Sequence, residues 1–131
     1  MTHDLRILYV DDDDDIRIVA TMALQLDPGL EVRAVSSGQA ALAALDQHAW
    51  RPDVILMDVM MPGMTGFALH DALRSREGLG QTTRIFMTAR ASRAGFEEYV
   101  ANGAHGVILK PFDPLTLASE VRAIANRPRL D

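Results

Sequence analysis

The stretch PDVILMDVMMPGMTG, residues 52–66, decides the fold. Val54, Ile55, Leu56 and Met57 form a short apolar run with β-branched residues at its start, bounded by Pro52 and by Pro62-Gly63. Such a run reads as a strand buried on both faces. One carboxylate, Asp58, follows at once. Pro62, Gly63 and Gly66 then punctuate a tight loop before the next helical pattern. A buried strand that ends in a lone acid delivers it to the rim of a sheet. In open α/β folds, the rim at the strands' carboxyl ends is where ligands bind. Taken alone, Asp58 reads equally well as a turn former or a helix cap. Its weight comes from the partners that the rest of the chain supplies.

The same kind of run recurs on both sides of this stretch. Residues 5–10 (LRILYV), 31–35, 84–88 (RIFMT) and 106–109 (GVIL) read as four further strands. Helical spacing appears between them. Ile16, Val19, Ala20, Ala23 and Leu26 recur on one stripe, preceded by acids that suit a helix N-terminus and stopped by Asp27-Pro28-Gly29. Ser36 or Ser37 caps a helix running to about residue 47. A third helix spans about 65–76, followed by a glycine-containing loop over 77–83. A weaker helix spans 92–102, with Gly95 inside it. The last spans about 114–126, with Pro114 suited to its first turn and a frayed polar tail over 126–131. Strand-helix alternation with short loops predicts an α/β fold, a five-stranded parallel sheet covered on both faces. Continuously apolar strands agree, since a doubly covered strand need not alternate.

Composition narrows the function. The 131 residues make one domain with room for a core, 48% hydrophobic and 24% charged, and no output domain is read in this chain. A net charge of -5 argues against general binding to nucleic acid or anionic membrane. With no cysteine there is no disulfide framework and no thiolate metal site, which fits a cytoplasmic protein. No run approaches the ~20 apolar residues of a membrane span. The four histidines (His3, His48, His70 and His105) show no metal-ligand spacing and read as surface or core filler. Met60 and Met61 are expected to be exposed beside Asp58.

Four of the five strands end in a residue able to act on charge: Asp11-Asp12, Asp58, Thr88 and Lys110. A parallel sheet gathers these ends on one edge. Two carboxylates crowded there repel by roughly 4 kcal/mol at 4 Å and an effective dielectric near 20. A hard divalent cation with oxygen ligands relieves that, and Lys110 adds a fixed positive charge. Metal, carboxylate, lysine and hydroxyl together suit phosphoryl transfer, where positioning and charge neutralisation do most of the catalysis. Singly, each residue has a plainer reading: a solvated acidic helix start, a strand-end threonine, a surface lysine.

The pieces LYVDDDDDIR, PDVILMDVMMPGMTG, IFMTA and GAHGVILKPF, in that order and spacing, resemble the receiver domain of bacterial two-component response regulators over essentially the whole chain. The resemblance implies a flavodoxin-like fold with strand order 2-1-3-4-5. It implies that Asp58 accepts a phosphoryl group from a phosphohistidine on a sensor histidine kinase or a histidine phosphotransfer protein, and that the altered surface then controls a downstream effector or output domain. Such a domain is not an enzyme in the ordinary sense; it catalyses only its own phosphorylation and dephosphorylation. It also implies Mg2+ or Mn2+ held by the side chains of Asp12 and Asp58 and the backbone carbonyl of Met60, with Asp11 acting through a metal-bound water. Thr88 and Lys110 would hold phosphoryl oxygens, and the small Ala89 would leave room for the group. Direct nucleic-acid contact and membrane insertion are not expected. The Lys110-Pro111 bond is expected to be cis.

This sequence departs from the family at Val107, where an aromatic usually swings inward on activation. Val107 is β-branched and too short to exchange between surface and interior. The changed surface is therefore expected around Arg90 to Tyr99. The resemblance also implies that Arg90 and Met60 flank the path of the attacking water and tune dephosphorylation. A rival enzyme reading takes Asp11-Asp12-Asp13 as a DxD motif similar to haloacid-dehalogenase-type phosphatases. The sequence lacks the later acidic metal motif and the room for a cap domain which that pattern expects. A third reading, a pseudo-receiver that only binds partners, is opposed by the complete acidic, threonine and lysine set.

Overall fold

A computed structural model of the protein describes residues 4–46, 50–74, 76, 82–89, 93–101 and 103–127, apart from the side chains of residues 93–96. The elements run β1 (Leu5–Val10), α1 (Asp14–Gln25), β2 (Leu30–Val35), α2 (Gly38–Leu45), β3 (Val54–Asp58), α3 (Gly66–Arg74), β4 (Thr83–Thr88), α4 (Arg93–Ala101), β5 (Gly106–Leu109) and α5 (Leu117–Ala125). The strands form one parallel sheet in the order β2-β1-β3-β4-β5, as expected for the doubly wound flavodoxin-like arrangement. The expected loop over 77–83 and tail over 126–131 fall largely outside the described residues, as do Arg90 and Ser92.

The core divides by strand parity. Leu8, Val10, Ile55, Met57 and Phe86 pack with Ala41, Leu45, Leu69, Leu73 and Tyr99 beneath α2, α3 and α4. Ile7, Tyr9, Val54, Leu56, Ile85, Met87 and Ile108 pack with Ala20, Leu24, Leu117, Val121 and Ile124 beneath α1 and α5. Successive side chains on a strand point to opposite faces, so each strand feeds both layers.

Local chemistry sets the helix starts. The Asp13 carboxylate accepts the Ile16 amide at 3.0 Å and caps α1. Between the two serines offered by the sequence, Ser37 is the cap of α2, its Oγ accepting the Ala40 amide. The expectation for α5 is corrected: Pro114 lies outside it. The Asp113 carboxylate accepts the Leu115 amide at 2.9 Å, and the Asp113 carbonyl accepts the amides of Thr116 and Leu117, so a turn intervenes and the helix begins at Leu117. Two strands are longer than expected, β2 beginning at Leu30 and β4 at Thr83. Among the described residues no helix is long and apolar enough to cross a membrane.

Candidate functional site

The carboxyl ends of β1, β3 and β5 converge, and parity decides what meets there. Asp11 continues the side of β1 that carries Ile7 and Tyr9, and Asp58 the side of β3 that carries Val54 and Leu56. Lys110 continues the side of β5 that carries Ile108. All three therefore turn toward the α1/α5 layer. The Lys110 Nζ lies 3.0 Å from Asp11 Oδ2 and 3.2 Å from Asp58 Oδ2. Asp11 is fully buried and Asp58 nearly so, whereas Asp12 is exposed. Carboxylate oxygens of Asp11, Asp12 and Asp58 all lie within 4.8 Å of one another. Three carboxylates so close offer only hard oxygen donors, the set that suits a hard divalent cation.

Burial pushes the Asp58 carboxyl above its ordinary range, Lys110 opposes that, and Asp11 reinforces it. For Lys110, burial alone would disfavour the ammonium. The hydrogen bond and charge of Asp11, with Asp58 behind them, outweigh burial and hold it above its ordinary value. The lysine is thus a permanent cation, and Asp58 is a carboxylate poorly compensated by it. The Met60 amide reaches Asp58 Oδ1 at only 3.4 Å.

The loop after Asp58 folds tightly because Gly66 permits it. A Cβ there would stand 2.5 Å from the Asp58 carbonyl oxygen and 3.0 Å from Val59 Cα. The bare backbone lets the Gly66 amide donate to the Val59 carbonyl at 2.9 Å and starts α3 against the site. Gly63 takes φ +81°, the left-handed region that side chains disfavour. In this loop Met60 is 75% exposed, but Met61 is buried at 6%, which corrects the expectation that both face the site. Met61 instead joins the core beneath α2–α4.

Thr88 has the opposite parity. It continues the side of β4 that carries Phe86, so its hydroxyl lies beneath α4, 2.9 Å from the hydroxyl of Tyr99. Tyr99 is fully buried and stacks on Phe67 at 5.4 Å between ring centroids. Ala89 follows Thr88 and is exposed, and Val107 is half-buried. The Lys110 amide donates to the Thr88 carbonyl at 2.8 Å, which ties the two strand ends, and the Lys110-Pro111 bond is cis.

Three participants escaped the sequence reading. Tyr99 is one. Tyr9 is another: its hydroxyl donates to Asp11 Oδ2 at 2.7 Å, and burial, with that carboxylate, pushes the phenol far up. The third is Arg17, whose guanidinium donates to the Asp11 carbonyl at 2.9 Å and to Asp14. Nothing in a period-3.6 or apolar-run pattern marks them. The histidines read as filler are placed so where described: His70 is buried in the core beside Phe86, and His105 Nδ1 accepts the Arg84 amide.

The family model for the response regulator receiver domain matches residues 7–122. The transcriptional regulatory protein CseB of Streptomyces avermitilis is 35% identical over 127 residues, covering 97% of this chain and 52% of that protein. The DNA-binding response regulator MtrA of Mycolicibacterium smegmatis is 33% identical over 122 residues, covering 93% and 51%. The chain thus spans about half the length of these curated relatives. Among solved structures, the chemotaxis response regulator CheY4 of Vibrio cholerae superposes with a TM-score of 0.81 at 37% identity, covering 92% of this chain and 98% of that one. A response regulator from Chloroflexus aurantiacus, described as putative, gives 0.82 at 29% identity, covering 94% and 98%. Fold, strand-end chemistry and relatives agree: the chain belongs to the receiver domains of two-component response regulators.

Proposed function

We propose that Asp58 accepts a phosphoryl group from a phosphohistidine on a sensor histidine kinase or histidine phosphotransfer protein. The observation that carries this reading is the nearly buried Asp58 carboxylate, 3.2 Å from the Lys110 ammonium and clustered with Asp11 and Asp12. One Asp58 oxygen attacks phosphorus, an O–P bond forms, and the N–P bond of the donor breaks. The electron pair leaves on the imidazole nitrogen, which takes a proton from solvent. Lys110 moves its charge onto the transferred oxygens, and the Thr88 hydroxyl leaves Tyr99 and turns inward to donate to one of them. Exposed Ala89 brings only a methyl group and leaves room for the phosphoryl group.

Asp12, Asp58 and the Met60 carbonyl, with Asp11 through water, are the groups that would hold Mg2+ or Mn2+. When bound, the cation neutralises charge that builds on the phosphoryl oxygens. The chain turns over only its own phosphoryl group and is in that sense not an enzyme. The acidic composition supports a domain without direct nucleic-acid contact, and the lack of cysteine fits the cytoplasm; the signal then passes to an effector protein or output domain. Mass spectrometry after acetyl phosphate treatment with Mg2+ tests the assignment. One labile phosphoryl group on Asp58 supports it, while label on Asp11 would favour the phosphatase reading and no label the pseudo-receiver.

A further inference from the structure

Asp11 is a carboxylate with almost every lone pair occupied. Its Oδ2 accepts from the Tyr9 hydroxyl at 2.7 Å and from Lys110 Nζ at 3.0 Å, and its Oδ1 accepts the Asp13 amide at 3.0 Å. Tyr9 reaches it because residues 9 and 11 share strand parity and β1 ends at Val10, between them. The phenol is fully buried in the layer beneath α1 and α5, and its ring packs with that core. Its hydroxyl is the one polar atom that this side chain brings to the charged site.

Lys110 has two carboxylates to serve and one ammonium to do it with. Its bonds to Asp11 and Asp58 are of nearly equal length. When the ammonium follows the phosphoryl oxygens on Asp58, Asp11 loses a donor while staying fully buried. An abandoned buried carboxylate is costly, and that cost would hold the lysine back.

We propose that Tyr9 is a positioning residue that frees Lys110: its hydroxyl keeps Asp11 Oδ2 hydrogen-bonded while the lysine moves to the phosphoryl group. This rests on the reading of Asp58 as phosphoacceptor. A second consequence has the opposite sign. The phenol draws electron density from Asp11 and restrains its rotation toward a cation. Removing the hydroxyl therefore makes Asp11 a stronger attractor for Mg2+ and a tighter trap for Lys110.

Tyr9→Phe deletes that single atom and keeps the ring. Mg2+ binding is measured by titration calorimetry. Binding of beryllofluoride is then followed through amide shifts in saturating Mg2+. The expected result is a split, with Mg2+ affinity raised about threefold to tenfold and beryllofluoride affinity lowered by a similar factor. In an Asp11→Asn background the same substitution changes both affinities less than about twofold, because the bond being tested no longer ends on a charge. A substitution that merely loosened packing would lower both affinities and would do so with either residue at position 11. Parallel losses, no change in either, or equal effects in both backgrounds would overturn the proposal. If Asp58→Ala bound beryllofluoride as well as the unaltered protein does, the acceptor assignment itself would fall, and with it the role of Tyr9.

Discussion

Two trios of one cation and two carboxylates stand at opposite ends of the sheet. At the carboxyl edge, Lys110 sits between Asp11 and Asp58. At the amino edge, Arg122 of α5 sits between Asp4, before β1, and Asp27, before β2. The ingredients match and the outcomes do not. The Arg122 guanidinium donates four hydrogen bonds of 2.7 to 3.1 Å, two to each carboxylate. Its planar fork satisfies both partners at once, and both carboxyls lie below their ordinary range, chiefly through those bonds. The Lys110 ammonium is a point charge shared between carboxylates that are buried. Burial outweighs it at Asp58, whose carboxyl lies above its ordinary range. The Asp4 side chain is 64% exposed and that of Asp11 is 0% exposed, so water finishes the compensation at one edge and cannot at the other. Guanidinium and exposure make a clasp; ammonium and burial leave a site that is short of positive charge.

The largest effect expected from this difference is on metal. Mg2+ at about a hundredfold excess over its Kd should stabilise the fold by ~2.7 kcal/mol, and calorimetric or fluorescence melting should show it as a raised Tm. Asp12→Ala should remove that response, while Arg122→Ala should leave it intact. A Mg2+ response that survives Asp12→Ala places the cation elsewhere and breaks the comparison.

A middle-sized effect is expected under α4. Tyr99→Phe takes one hydroxyl from a buried pair and should cost about 1 kcal/mol in denaturant unfolding. It should also shrink the amide shifts that beryllofluoride induces along α4, because Thr88 is bonded there. Val107→Ala should preserve the pattern of those shifts. A response erased by Val107→Ala and kept in Tyr99→Phe would mean the signal leaves the site through β5.

The smallest effect sharpens the comparison through pH. In Mg2+-free buffer, the raised Asp58 carboxyl contributes stability that is fully present below the ordinary carboxylate pKa and is lost as pH rises through the folded value. The lowered Asp4 and Asp27 carboxyls contribute stability present above the ordinary value and lost as pH falls through theirs, weakened by solvent and salt because Asp4 is exposed and Asp27 partly so. Asp58→Asn should therefore flatten the decline toward neutral pH, and Arg122→Ala should soften the loss below pH ~4. Melting curves from pH 3 to 7 would show both, and the same slope in all three proteins would deny that the trios differ.

The strands and the acids and lysine at their ends were legible in the sequence, because short apolar runs between turn residues leave few other readings; the strand order came from the family resemblance alone. Parity was not. In continuously apolar runs such as VILM and IFM, no alternation tells which residues face α1/α5 and which face α2–α4. That is why Tyr9 under Asp11 and Tyr99 under Thr88 went unread. Met61 lies in the loop after β3, where no period tells which side chain turns inward. The start of α5 was misplaced for a local reason: a proline suited to a first helical turn suits a turn made by the preceding Asp113 equally well.

The central claim is that the shortage of positive charge at the carboxyl edge makes Asp58 the phosphoacceptor. The most direct measurement is intact-protein and peptide mass spectrometry after phosphoramidate treatment in Mg2+, on the unaltered chain and on Asp58→Ala. The account predicts one added phosphoryl group, mapped to Asp58, removed by hydroxylamine and absent from the variant. Undiminished labelling of Asp58→Ala would contradict it.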